Sequence, residues 1–407
     1  MQKEKSFVQT ERAGIFLFAV GLPISHVPAQ FGIALAAVGW LGQGLVNKRW
    51  QVRWHGMMIP LLCYLGWNVL SAAFSARPGH SLGAVLDNEW PLFIMVFIYW
   101  CVEDLETLSR LLTAFLVSSS ISIVYALWQV TGGVELYRGV PLDPMGFGFY
   151  RAVGFYGFYL TFAALAMTVF FFATGYMQEK KKWYFFALSG LSLLAVVGTF
   201  ARSIWLALAA MIPVFAFTRG RKTGVIVTVL LLVVVAGGLL AVPALRYRAG
   251  SIVEPGQNET RLNLWNTALQ ISKDHPVLGI GEDNWDLVFD RYKVEGFYDT
   301  TVHPHNDYLT VLVASGVPGL VAFSAIWVTV LVAGFRLIRD AANATIKAVA
   351  LGSTFSLLGF LIGGVFQNYY GTFINCLEWW FVIGLLLTAE KIDHASRITE
   401  HPTASPI

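Results

Sequence analysis

Residues 223–243 read TGVIVTVLLLVVVAGGLLAVP, a stretch with no charged side chain, preceded by Arg219, Arg221 and Lys222 and followed by Arg246 and Arg248. A membrane-crossing helix needs roughly 20 predominantly apolar residues, so this segment is a span by length and composition alone. Comparable runs lie near 13–26, 28–46, 56–75, 83–101, 108–130, 152–176, 183–200, 203–218, 306–335, 347–366 and 376–390. The remaining composition agrees. Hydrophobic residues make up 56% of the 407 and charged residues 13%, where a soluble domain carries about 25% charged. So few charges leave apolar surface that only lipid can cover.

The expected fold is therefore all-α: a polytopic integral membrane protein of about 12 transmembrane helices. The basic residues of the short loops set its orientation. With the N-terminus inside, Lys48, Arg49 and Arg53, then Lys180–Lys182, then Arg219–Lys222, then Arg336, Arg339 and Lys347 all fall on the cytoplasmic side, as does the tail. Spans one to nine occupy 1–243, an extracytoplasmic loop with an amphipathic helix 244–305, spans ten to twelve 306–390, and a short polar, disordered cytoplasmic tail 391–407. The first span carries Pro23 and the second opens at Pro28, so this pair also reads as a tight re-entrant hairpin. The 306–335 run is too long for one straight span, and Gly316, Pro318 and Gly319 divide it into a short helix and a true span. Cys63, Cys101 and Cys376 all lie in apolar runs, which leaves no disulfide framework and no CxxC pair. The first apolar run lacks a small-residue cleavage site and is expected to stay in place as a span. At about 60 residues the long loop is marginal as a separate domain and is expected to pack down on the helices.

Three elements carry candidate chemistry. Arg202 sits between two apolar runs at the outer end of successive helices, a costly place for a charge unless it is paired or faces water; the alternative is an interfacial anchor that snorkels to headgroups. In the loop, the turn Glu254-Pro255-Gly256 leads to Asn258, an expected N-cap, and to Leu262, Trp265, Leu269 and Ser272 at helical spacing before Asp274-His275-Pro276 ends the helix. Arg261 falls in its first turn, as an anion ligand or simply as a solvated arginine. Third, Pro304 in Val302-His303-Pro304-His305-Asn306 holds the chain extended before a helix starting near Asn306. His305 at that N-terminus is disfavoured as the imidazolium and suited to accept a proton; a capping role or half of a two-histidine metal pair are the alternatives. His303 and His305 have no third ligand at a usual spacing, so no metal and no cofactor are expected. No Asp-x-Asp pair, P-loop or dinucleotide fingerprint occurs. Any diphosphate would then be met by arginines, with Arg138 and Arg151 as further extracytoplasmic candidates beside Arg202 and Arg261.

In order along the chain stand Ala201-Arg202-Ser203-x-Trp205, then Arg261-Leu262-x-x-Trp265 leading to His275-Pro276-x-Leu278-Gly279-Ile280-Gly281, then His305-Asn306 and, after nine intervening residues, Gly316-x-x-Gly319. This combination resembles the O-antigen ligase and polymerase superfamily of bacterial membrane glycosyltransferases, and the hydropathy of the whole chain is similar. The resemblance implies a multi-pass inner-membrane enzyme with both termini cytoplasmic and its active site facing the periplasm. It implies an undecaprenyl-diphosphate-linked O-antigen as donor and a sugar hydroxyl of lipid A–core as acceptor, with membrane lipids around it and no nucleic acid. Carried over by position, Arg202 and Arg261 would bind the donor diphosphate and His305 would take the acceptor proton, with inversion and without a metal. Arg138, Arg151, Asn306 and Trp265 would contribute to substrate binding. The His-Asn…Gly-x-x-Gly element favours ligase over polymerase, and the short tail argues against a protein glycosylase. A transporter or flippase of lipid-linked sugars is the competing class, although the candidate residues gather at one face and not at the bilayer midplane.

Overall fold

The computed structural model describes residues 2–254, 256, 258–298, 300 and 303–400. Pro255 of the expected turn, Val302 of the histidine motif and 401–407 of the expected tail lie outside them. The described chain is a helical bundle: α1 (Gln2–Gly21), α2 (His26–Asn47), α3 (Met58–Ala73), α4 (Pro78–Glu89), α5 (Phe93–Cys101), α6 (Leu105–Gly132), α7 (Tyr159–Lys180), α8 (Trp183–Gly198), α9 (Arg202–Phe217) and α10 (Arg221–Ala241). Then follow α11 (Pro243–Gly250), α12 (Glu259–Asp274), α13 (Trp285–Tyr292), α14 (Asp307–Asp340), α15 (Ala344–Gly363) and α16 (Phe373–Glu400). Among the described residues, 8 helices or helix pairs are long and apolar enough to cross a membrane, and α3, α8 and α9 are shorter apolar helices.

At the centre stand α7, α15 and α16, with Phe162, Phe171, Phe355, Phe360, Trp379 and Trp380 buried. By contrast, only 6% of the apolar window of α10 is covered by the rest of the chain, against 83% for α7 and α16. That helix is apolar all round and presents its surface to lipid.

Several expectations change in detail. The first pair forms two antiparallel helices of 20 and 22 residues in close contact. Gly14, Gly32 and Gly39 allow it, since a Cβ on Gly39 would lie 2.4 Å from the backbone nitrogen of Glu11, the small-residue packing used inside membranes. Near that end Glu11 accepts a hydrogen bond from the Gln43 amide. The span expected from 152 begins only at Tyr159, because Gly154 and Gly157 adopt positive φ ahead of it. Residues 134–150 form two short antiparallel hairpins, β1 (Val134–Glu135) with β2 (Val140–Pro141) and β3 (Pro144–Gly146) with β4 (Phe149–Tyr150), so the fold is helical with this small exception. The tail is helical through Glu400: Arg397 pairs with Asp393 at 2.7 Å, and Lys391 donates to the Val102 carbonyl at the end of α5.

The long helix does divide as its glycines suggest. At Gly316 the backbone leaves helical geometry, with φ 67 and ψ −171, a conformation open essentially to glycine alone. The loop docks into this break. Ile280 N–H donates to the Val313 carbonyl, Gly281 N–H to Ala314 O, and Val317 N–H to Pro276 O. A Cβ on Gly316 would stand 2.2 Å from Val277 O, and one on Gly279 2.4 Å from Ala314 O. The spaced glycines of the two motifs are thus the two halves of one backbone-to-backbone joint. On it the loop builds a small core, with Leu264, Ala268, Ile271, Trp285 and Phe289 gathered around Val313 of α14.

Candidate functional site

Where α8 meets α9, the chain turns through Thr199-Phe200-Ala201, with Phe200 at φ 54. Trp205 fastens this turn by donating its indole N–H to Val196 O. Arg202, the first residue of α9, donates to both the carbonyl and the hydroxyl of Ser251, just past α11. From α11, Arg248 reaches back and donates to Phe200 O at 3.1 Å. Asn258 does not cap α12 with its side chain; its amide donates to Ile252 O and Glu254 O and so fastens the 251–258 turn. Arg261 follows within the first turn of α12. These elements enclose a cavity of about 390 Å³ lined by Arg202, Arg248 and Arg261 together with Leu206, Trp265 and Phe366.

Arg248 was not among the sequence candidates as a ligand. Burial, followed by repulsion from Arg202 and Arg151, pushes its pKa down to about 10, so it remains cationic at neutral pH. Three guanidiniums that raise one another's energy are relieved by an anion. Among the described residues, none that lines this cavity is acidic. Each guanidinium has five N–H donors in a fixed fork, so the contacts to Ser251 leave Arg202 capacity for an oxyanion.

The stripe expected on α12 is turned. Leu264, Ala268 and Ile271 are its buried face, whereas Leu262 and Leu269 are half-exposed and Leu262 and Trp265 face the cavity. The indole N–H of Trp265 is buried without a partner among the described residues.

The histidine wall comes from another direction. Asn306 caps α14, its Oδ1 accepting from Leu309 N–H while its amide donates to Val365 O. Both ends of that side chain help hold the fold, so Asn306 positions the start of α14, with one N–H of its amide still available beyond these bonds. Asp307 N–H donates to Gly364 O, its carboxylate accepts from Tyr370 N–H, and Tyr308 donates to Leu361 O. The segment between α15 and α16 is therefore a keystone under the start of α14. It also reaches the arginine wall, through Tyr369 and Ser203 at 2.8 Å.

His305 sits at φ 51, an uncommon conformation for a side chain of its size. Its N–H donates to Nδ1 of His303, and its own Nδ1 lies 3.0 Å from Oε1 of Gln367. Gln367 lines the arginine cavity. With the amide oxygen as acceptor, the His305 Nδ1 carries the proton and the lone pair lies on Nε2, the tautomer a general base requires. Burial, and then the neighbouring His305, lowers the pKa of His303 to about 4, so it stays neutral. Gln367 escaped the sequence reading because nothing local marks a glutamine in a loop 62 positions downstream as the partner of a histidine.

The remaining candidates separate. Arg151 stacks over Tyr159, whose ring borders the cavity, at 4.1 Å and pairs with Asp143 at 3.1 Å. Arg138 is turned away towards the hairpin, held by Glu135 at 3.5 Å and by Tyr156 O at 3.3 Å, and does not line the cavity. No group of three or more metal-ligating side chains occurs among the described residues.

A bundle with this many apolar helices is a polytopic integral membrane protein, and it carries a cationic cavity under a docked loop. Compared with known families, residues 187–324 match the O-antigen ligase family. The matched stretch, similar to that family, takes in Arg202, Arg248, Arg261 and His305. No curated protein matches the chain.

Proposed function

We propose that this protein is an O-antigen ligase: it transfers a glycan from undecaprenyl diphosphate to a sugar hydroxyl of lipid A–core at the periplasmic face of the inner membrane. The observation that carries this reading is the convergence of three arginines and, through Gln367, a histidine on one cavity. Its apolar side suits a polyprenyl chain, and its arginines suit the diphosphate.

In the proposed step the acceptor oxygen attacks the anomeric carbon while the bond from that carbon to the diphosphate oxygen breaks. The hydroxyl proton passes to Nε2 of His305, and Arg202, Arg248 and Arg261 stabilise the charge that grows on the departing phosphate oxygen. Attack opposite the leaving group inverts the anomeric centre. The donor is already activated, so neither a nucleotide nor a metal is consumed. Under this reading α1, α3, α8 and α9 complete twelve spans, with both termini cytoplasmic and the 244–305 loop periplasmic.

The test is transfer by the reconstituted protein from an undecaprenyl-diphosphate-linked glycan to purified lipid A–core, in EDTA and without nucleotide. Glycan on lipid A–core is the expected product. Longer carrier-linked chains with an untouched acceptor would make it a polymerase. Movement of the lipid-linked glycan across the membrane with no new glycosidic bond would make it a transporter.

A further inference from the structure

His303 and His305 link two cavities of opposite character: Gln367, the partner of His305, lines one, and His303 lines the other. On the Gln367 side lies the arginine cavity, with no carboxylate among its described lining residues. On the His303 side lies a second cavity of about 350 Å³, bounded by the last turns of α4, the 280–285 loop and the keystone segment. Among the described residues its lining contains no arginine or lysine; it offers Asp87, Glu282 and Asp283 with the amides of Asn88 and Asn368. Trp285 and Asp283 also border an open groove of about 930 Å³ that continues outward past Phe289 and Tyr298. The basic side chains along that groove already have partners, Arg77 with Asp286, Lys293 with Asp290 and His80 with Asp283.

These are groups for a saccharide. Carboxylates and amides accept and donate to hydroxyls at fixed positions, and aromatic rings offer an apolar face with a polar edge. A carboxylate such as Asp87, outside the pairs just named, also repels phosphate. Resting on the transferase reading above, we infer that the second cavity seats the acceptor as an uncharged sugar ring beside the histidine pair, with the following rings lying along the groove. The chemistry then divides at the histidines, with the lipid diphosphate on the arginine side and the attacking hydroxyl on the carboxylate side. Glu282 supports this division. Burial raises its pKa to about 7 against the hydrogen bond from Asn88, so near neutrality it exists in both forms and can donate to a hydroxyl as well as accept from one.

The experiment is saturation-transfer NMR on the full-length protein in nanodiscs, using the oligosaccharide released from lipid A–core and stripped of its phosphates, alongside the same oligosaccharide with phosphates kept. Transfer to the dephosphorylated probe is expected, lost in Ala84→Trp, which fills the cavity from α4, and kept in Arg202→Ala. Asp87→Lys, a milder surface change, should narrow the preference for the dephosphorylated probe. Signal that survives Ala84→Trp, disappears in Arg202→Ala, or shows the same preference in Asp87→Lys would overturn the assignment. In the transfer assay Ala84→Trp should raise the acceptor KM about tenfold or more while the donor KM stays within about twofold; equal rises in both would count against it. Absence of any glycosidic product from the wild type would defeat the transferase reading, while the NMR arm still decides the sugar site.

Discussion

The two walls of the site are built to different standards. The histidine wall is bolted into the protein. Asn306, Asp307 and Tyr308 are tied in turn to the 361–370 segment, which rests on α16 at the centre of the bundle. The arginine wall hangs on α9, α11 and α12, and the helix that leads into α11 is the one most open to lipid. Under the proposed function, the difference follows from what each wall would do. A proton acceptor works only within hydrogen-bond reach of the reacting hydroxyl, roughly 3 Å, whereas charge stabilisation tolerates more slack and can draw on several donors. The structure thus spends its buried hydrogen bonds on the histidine and gives the anion redundancy.

If that contrast is right, substitutions on the two walls should fail differently. His305→Ala should lower kcat by about 10²–10⁴-fold, the usual range for a general base, with donor KM little changed; surviving turnover would return the histidine to a capping role. Arg261→Lys keeps the charge but loses the fork, so kcat/KM for the donor should fall by about 10–100-fold. Near-normal transfer would remove the bidentate role. Gln367→Ala leaves His305 in place but frees its tautomer, and should cost about tenfold in kcat without weakening donor binding. Loss of donor binding instead would move Gln367 to the arginine wall.

Smaller effects sharpen the picture. Arg138→Ala should change transfer by less than about twofold, because this arginine is engaged with Glu135 and Tyr156 away from the cavity; a large loss would mean that the cavity extends to the hairpin. His303 keeps a pKa of about 4 in the fold against an ordinary 6.5. The unfolded segment therefore takes up its proton first, and local stability should fall as pH drops from 6.5 towards 4 and level off below. Hydrogen exchange at 303–310 should rise over that window, and His303→Phe should abolish the rise.

How much of this was legible in the sequence follows from the range of the interactions involved. Spans are local facts of composition, so most boundaries fell within a few residues, and Gly316 broke α14 as its neighbours suggested. Where boundaries moved, a distant partner moved them. The tail helix continues because Lys391 finds the end of α5 and Arg397 finds Asp393, and α7 starts late because glycines at positive φ precede it. For the site, Arg202, Arg261 and His305 stood out because each is a polar group at an unusual place in an apolar chain. Arg248 looked like one more basic residue at a membrane edge, and Gln367 like loop. Only the closure of α11 over the 199–201 turn, and of the keystone under α14, gives them partners. For Asn306 the structure adds a capping role that accounts for a polar residue at this place in the motif.

The most direct test is binding of undecaprenyl diphosphate to the purified His305→Ala and Arg202→Ala proteins, measured side by side with the wild type. Wild-type affinity in His305→Ala and an affinity lower by about tenfold or more in Arg202→Ala are the results expected if the walls divide donor binding from proton transfer. Equal loss in both, or loss in the histidine variant alone, would contradict that division.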